Sequence, residues 1–499
     1  MRITNGIMMN NCLTNINKNK LLMDKLDTQI SSTKKLQRPS DDPIAAIRAL
    51  RLRSTYAEID QYLNKNIQDA SAWMEITDVA LQSLQDIVGG AEGSDGIISY
   101  LNQGISEYQT TEDRQKIITT LKQFKDQLYA DGNSDNAGRT IFTGYRTDST
   151  LTFTEDTDEE YEITENLTLD NLREVNKIVG VDVESTRDYR ETDVVNDGLH
   201  VVMLAYNNLN ATEGLSISSS TNNLLDGATV TVRSYQEMGE TVYSVQDDEI
   251  VLVPETGELI IGENYYEVID KNDKFSVTYT KTGFEDGDLR PENYYYCTDK
   301  TTGITYGRIN ETTGEKYVED QEIKYNINFN QTLTINVQGK DVLTADLGRD
   351  LDIIISAAEA AVKAHNKVDT INKKIEAATM AGDDSEVERL NNMLKAAELE
   401  TAYAEDNLTK SFSSGVTLYQ SHYSDITTQL ADLGSRMKRL ELNETRLESQ
   451  MLTVKELKSS NEDTDIEATA VEFKQAQDVY DASLLVAAQI VQKSLLDFI

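Results

Sequence analysis

The sequence predicts an α+β protein: an elongated rod of long antiparallel helices from both termini, coiled-coil-like, with a central β-rich insert domain. Three observations predict it. Apolar residues recur at steps of three and four at both ends of the 499-residue chain, the spacing that lines one face of a helix. Between about Leu151 and Gly348 the composition turns to Thr, Val, Ile, Tyr and Gly, in short alternating stretches such as "ATVTVRSY" and "KFSVTYT", which is strand patterning. Each helical arm is interrupted once, at Arg38–Asp42 and at Lys458–Asp465, so the two arms mirror each other about the insert and their breaks face one another.

The elements follow in order. From Met9 a stripe runs through Leu13, Ile16, Met23, Leu26 and Ile30 and stops at Arg38-Pro39. The stretch "RPSDDPIAAIRALRLRS" restarts it. Asp42 is placed to cap the new helix, and Pro43 fits its first position, where a missing N–H costs nothing. Asp41 and Asp42 also sit at the positive end of the helix dipole. Residues 44 to 88 then carry one stripe to Val88, roughly 68 Å of helix at about 1.5 Å per residue. A further helix is expected over Thr111–Ala130, and the turn cluster "DGNSDNAGRTIFTGYRT" leads into a hairpin. Inside the insert a short helix is expected near Thr192–Asn208. Helical periodicity returns near Leu351, and the last helix places Phe473, Tyr480, Leu484, Val491, Leu495 and Phe498 on one face. The domain plan is an N-terminal assembly helix (1–40), the N-terminal part of the helical rod with its hairpin (41–150), a β-rich variable outer domain (151–348), the C-terminal part of the rod (349–460) and a C-terminal assembly helix (461–499).

Charge narrows the function. Asp and Glu number 86 against 47 Lys and Arg, a net charge of −39. So acidic a chain repels phosphate backbones and anionic lipid, which argues against nucleic acid and membrane as partners. No apolar run reaches the length that spans a bilayer. Cys12 and Cys297 do not frame a disulfide scaffold. The start "MRITNGIMMNNCLTN" has no apolar core of secretory type, so export, if it occurs, is expected without a cleaved signal peptide.

Chemistry finds no foothold. His200, His365 and His422 lie in no HExxH pattern and share no ligand spacing. The acidic run "TEDTDEEYE" lacks the glycine and terminal glutamate of a calcium loop. "GSDG" and "GRDLD" are not followed by the lysine of a phosphate loop. No catalytic residue, cofactor or metal is expected. The terminal stripes are the strongest feature. Two arms of about thirty residues each make a pair with little core, and units that small are rarely stable alone. Their apolar faces are therefore read as assembly surfaces: Leu13, Ile16, Met23, Leu26, Ile30, Phe473, Tyr480, Leu484, Val491, Leu495 and Phe498. Arg38, Pro39, Asp41, Asp42 and Pro43 mark the segment boundary.

The two ends resemble the flagellin superfamily, and within it the hook-associated protein 3 family of hook–filament junction proteins. The resemblance rests on "MRITN" with "NN" just after it, on "RPSDDPIAAIRALRLRS", on "GRTIFTGYRTDS" and on "DTDIEATAVEFKQAQDVYDASLLVAAQIVQKSLLDFI". Pro43, Arg48, Arg51 and Arg53 stand where flagellins tend to carry "DDAAGLAI". The resemblance covers about residues 1–150 and 410–499. It implies a structural, extracellular flagellar protein exported through the flagellar type III channel. It also implies a ring of copies between the first hook-associated protein and flagellin, with a flagellar export chaperone as a further partner. Two alternatives stay open: a flagellin-like filament subunit, which copy number would distinguish, and an adhesin or enzyme domain carried in the insert.

Overall fold

The computed structural model describes residues 5–106, 110–210, 215–219, 221, 224–270, 273–311 and 314–496. The chain forms two compact units. One comprises Met1–Asp69, Tyr325–Leu333 and Arg439–Ile499; the other comprises Ala70–Lys324 and Thr334–Lys438.

The helices begin with α1 (Asn5–Ser32), α2 (Pro43–Gln61), α3 (Ile67–Gly89), α4 (Ile97–Gly104) and α5 (Thr111–Gly132). A five-residue π-turn, Tyr62–Asn66, joins α2 to α3, so the helix expected over 44–88 is continuous but carries an inserted bulge. One-turn helices α6 (Tyr235–Met238), α7 (Glu263–Tyr266) and α8 (Pro291–Tyr294) lie in the insert. The long helices α9 (Ala345–Ala381), α10 (Asp384–Glu462) and α11 (Ile466–Leu496) close the chain. Gly382, at φ 74°, ends α9 in the left-handed conformation that glycine adopts without strain.

The strands are β1 (Asp135–Asn136), β2 (Arg139–Thr140), β3 (Thr157–Leu167), β4 (Leu172–Val179), β5 (Val195–Met203), β6 (Ser216–Ser219), β7 (Val230–Val232), β8 (Ile250–Val253), β9 (Glu258–Ile261), β10 (Phe275–Phe284), β11 (Tyr296–Asp299), β12 (Thr305–Tyr306), β13 (Arg308–Ile309), β14 (Lys316–Tyr317), β15 (Lys324–Asn328) and β16 (Gln331–Thr334). The expected hairpin is β1–β2, turned by Ala137 and Gly138 at φ 53° and 78°. Both central residues at positive φ match the turn that fits the twist of paired strands.

In the second unit two five-stranded sheets, β12-β11-β3-β10-β6 and β4-β5-β9-β8-β7, share one apolar core. Ile163, Val277 and Tyr279 come from the first sheet, and Val202, Leu252 and Ile261 from the second. Alternation explains this division, since every second side chain of a strand points to the same face. On the other face of the second sheet, Val201, Val251 and Ile260 pack with Val242 and Tyr243. A buried ionic cluster ties α9 to the strands. Arg349 pairs with Glu165 of β3 and donates to the Tyr295 hydroxyl at 3.1 Å. Glu165 also accepts from the Ala205 amide at 2.7 Å and from the Tyr279 hydroxyl. The antiparallel α9–α10 pair is bound along its length by His422 to Asp350 at 3.0 Å and Lys367 to Glu400 at 2.6 Å.

Three expectations are corrected. Thr192–Asn208 is not a helix: Glu191–Asp193 forms a single 3-10 turn and Val195–Met203 is strand β5, between β4 and β9. The pair Val201-Val202 packs on both faces of its sheet, which suits β-branched residues and overrides the helical spacing. The second break is shorter than Lys458–Asp465, because α10 runs to Glu462. The stretch 151–348 is not one outer body. The β15–β16 hairpin groups with the terminal helices. There Asn443 of α10 donates to the Ile327 carbonyl at 2.6 Å and accepts from Asn328 at 3.0 Å. Asn443→Leu would leave that buried carbonyl unpaired, at a cost of about 1–3 kcal/mol, and urea unfolding should register it.

Candidate assembly interface

The boundary residues build a joint between chain ends. Asp42 caps α2 through the amides of Ile44 and Ala45, both at 3.0 Å, with Pro43 at the first helical position. Asp41 accepts from the Arg38 amide at 2.9 Å, which holds its carboxyl below the usual range. Pro39 and Arg38 are exposed in this turn. The other break meets it directly. Lys34 and Asp463 form an antiparallel bridge and an ion pair. The Lys35 amide donates to the Glu462 carbonyl at 2.7 Å, and the Thr464 amide to the Thr33 carbonyl at 3.0 Å. Arg53 grips Glu462 with two parallel bonds of 2.7 Å, the strongest geometry open to an arginine–carboxylate pair.

These contacts make the joint pH-sensitive. Arg53 holds Glu462 below its ordinary value of 4.5. Lys34 does the same to Asp463, whose ordinary value is 3.8. A carboxylate depressed by folding stabilises the fold fully above its unfolded pKa and ceases to do so as pH falls through the folded one. The joint should therefore loosen on acidification below about pH 4. Hydrogen exchange of amides in 30–36 and 460–470, corrected for intrinsic rates, should show protection falling there while the β-sheet amides keep theirs.

Beyond the joint, α1 and α11 run antiparallel. Cys12 reaches the Ser483 carbonyl at 3.8 Å, and Asn19 donates to the Ala476 carbonyl at 3.3 Å. Leu26 is buried at 4% exposure, and Ile16, Met23, Ile30, Phe473 and Tyr480 are half-buried. Leu13 and Leu484 turn outward, exposed by 51% and 43%. Val491 and Leu495 fall in the last turns of α11; their side chains, and Phe498 altogether, lie outside the described residues. The expected stripe thus divides into an inner seam and an outer remainder. Sequence reasoning missed Cys12, Asn19 and Ala476 in the seam, because two of them are polar or small. It also missed the exposed Leu21, Leu22, Leu485 and Val486. Their signal was present: Leu484-Leu485-Val486 are consecutive, so they point three ways around the helix, and one partner helix cannot cover them all.

Long terminal helices that pair with one another, with a β-rich insert between them in sequence, define the class, an α+β chain whose two ends make one helical unit. The bacterial flagellin N-terminal helical region matches residues 3–147, and its C-terminal helical region matches residues 416–499. Flagellar hook-associated protein 3 of Salmonella typhimurium is 31% identical over 157 residues, 30% of this chain and 45% of that protein. Its Escherichia coli counterpart is 30% identical over the same length and shares. The alignment spans less than half the length of either relative. Among solved structures, the flagellar junction protein FlgL from Legionella pneumophila covers 84% of this chain and 100% of its own, at 10% identity and a TM-score of 0.29. FlgL of Xanthomonas campestris covers 81% of this chain and 99% of its own, at 11% identity and a TM-score of 0.21. The two helical ends of the chain are thus similar to those of bacterial flagellin, and one 157-residue stretch is similar to hook-associated protein 3.

Proposed function

We propose that the chain is a structural subunit of the bacterial flagellum that forms the junction between hook and filament. Its terminal helices fold and assemble together. Neighbouring copies in a ring cover the apolar faces that α1 and α11 leave open, with the first hook-associated protein on one side and flagellin on the other. The subunit reaches that place through the flagellar type III channel, escorted by an export chaperone, and works outside the cell without catalysis. The observation that carries this reading is the exposed apolar surface of the α1–α11 pair, from Leu13, Leu21 and Leu22 to Leu484, Leu485 and Val486. A monomer that keeps such surface in water is matched to an assembly that removes it. The 157-residue similarity to hook-associated protein 3 supports the junction in particular.

Deleting the gene and imaging the flagella tests it. Hooks without filaments, with flagellin shed into the medium, are the expected result. Normal filaments on the deletion strain would refute the junction role.

A further inference from the structure

Helix α2 presents a second apolar face that its own unit does not cover. Ile44, Ile47 and Leu50 recur at steps of three and are exposed by 75%, 55% and 65%. Arg48 and Arg51 flank them, also exposed and without a carboxylate partner among the described residues. Arg53, by contrast, is committed to Glu462. Aliphatic side chains beside unpaired arginines have the composition of a protein–protein contact.

Charge identifies what covers this face. Residues 1–61 hold ten basic and six acidic residues, in a chain whose net charge is −39. Copies of so acidic a chain repel wherever two acidic surfaces meet, so an attractive contact between copies sets basic surface against acidic. Helix α11 carries the complement. On its side away from α1, Glu467, Val471, Asp478 and Leu485 follow at steps of 4, 7 and 7, all exposed. Lys474, the one lysine on that side among the described residues, lies 3.5 Å from Asp478. The face is aliphatic and acidic where that of α2 is aliphatic and basic.

We propose that the outer face of α2 docks on the outer face of α11 in a second copy. Ile44, Ile47 and Leu50 close around Val471, and Arg48 and Arg51 pair with Glu467 and Asp478. The contact is head-to-tail, so each copy offers both halves and the repeat can close into a ring. It rests on the assembly reading above and names one of its interfaces.

The test returns the intact chain, with Arg48→Glu and Arg51→Glu, to the deletion strain. Filament-bearing cells should fall by roughly tenfold or more, while the purified subunit melts as the wild type does. Adding Glu467→Lys and Asp478→Lys should restore filaments. Normal filaments with the arginines reversed would overturn the contact, as would failure of the acidic reversal to restore them. Leu484→Glu separates the two readings. If it alone stops filaments, the assembly reading stands and this contact falls; if it too is harmless, the assembly reading falls. Should the arginine reversal disturb the melt, two chains with one exposed cysteine each, Cys297 being buried, replace it. Ile47→Cys and Val471→Cys, each with Cys12→Ser, are coexpressed and oxidised in intact flagella. A disulfide between copies supports the contact, and monomers alone refute it.

Discussion

Leu484→Glu should leave the melting temperature of the free subunit within about 2 °C of wild type, yet stop filaments growing on the hook. Leu484 is 43% exposed in the chain by itself, so a glutamate there meets water and costs the subunit little. In an assembly that buries it, burial of the leucine contributes about 1.5–3 kcal/mol. A carboxylate in its place instead carries a desolvation cost. A ring repeats both losses at every interface. Leu26→Ala gives the opposite pattern. Leu26 is buried at 4% inside the α1–α11 pair, so its truncation should lower protection of α1 in the free subunit. A Leu484→Glu subunit that melts far lower while still supporting filaments would contradict the division of the helix pair into inner and outer faces.

Arg349→Met should destabilise the second unit by about 3–5 kcal/mol, the cost of leaving one member of a buried ion pair without the other. The stranded group is Glu165, whose side chain is 1% exposed. Tyr295 loses its donor in the same change. Glu165→Gln together with Arg349→Met should recover most of the loss. The amide oxygen still accepts from Ala205 and Tyr279, and no charge remains buried. Urea unfolding of the two variants measures both numbers. A loss under about 1 kcal/mol for the single variant would place the ion pair among surface pairs of small effect.

The parts legible beforehand were those governed by local rules. Asp42-Pro43 carries its own start signal, and the α2 cap formed as local capping chemistry dictates. The β1–β2 hairpin likewise falls within the turn cluster "DGNSDNAGRTIFTGYRT". The parts that were not legible depend on partners distant in sequence. Thr192–Asn208 became a strand because β4 and β9 lie on either side of it. The β15–β16 hairpin joined the terminal helices through Asn443, more than a hundred residues away, and no composition signal marks that attachment. Within the proposed assembly surface, the stripe from Leu13 to Ile30 was visible as a whole. Which half meets α11 and which faces outward was not, because the seam also closes on Cys12, Asn19 and Ala476, which lie outside the apolar stripe.

The central claim is that neighbouring copies cover the outer apolar faces of the terminal helices. Leu485, exposed by 68%, tests it most directly. In a Cys12→Ser background that still forms filaments, Leu485→Cys is treated with a membrane-impermeant maleimide, first as purified subunit and then in intact flagella. The account predicts rapid labelling of the free subunit and strong protection in flagella. Equal labelling in both would mean that the outer face of α11 stays in water after assembly, and would contradict it.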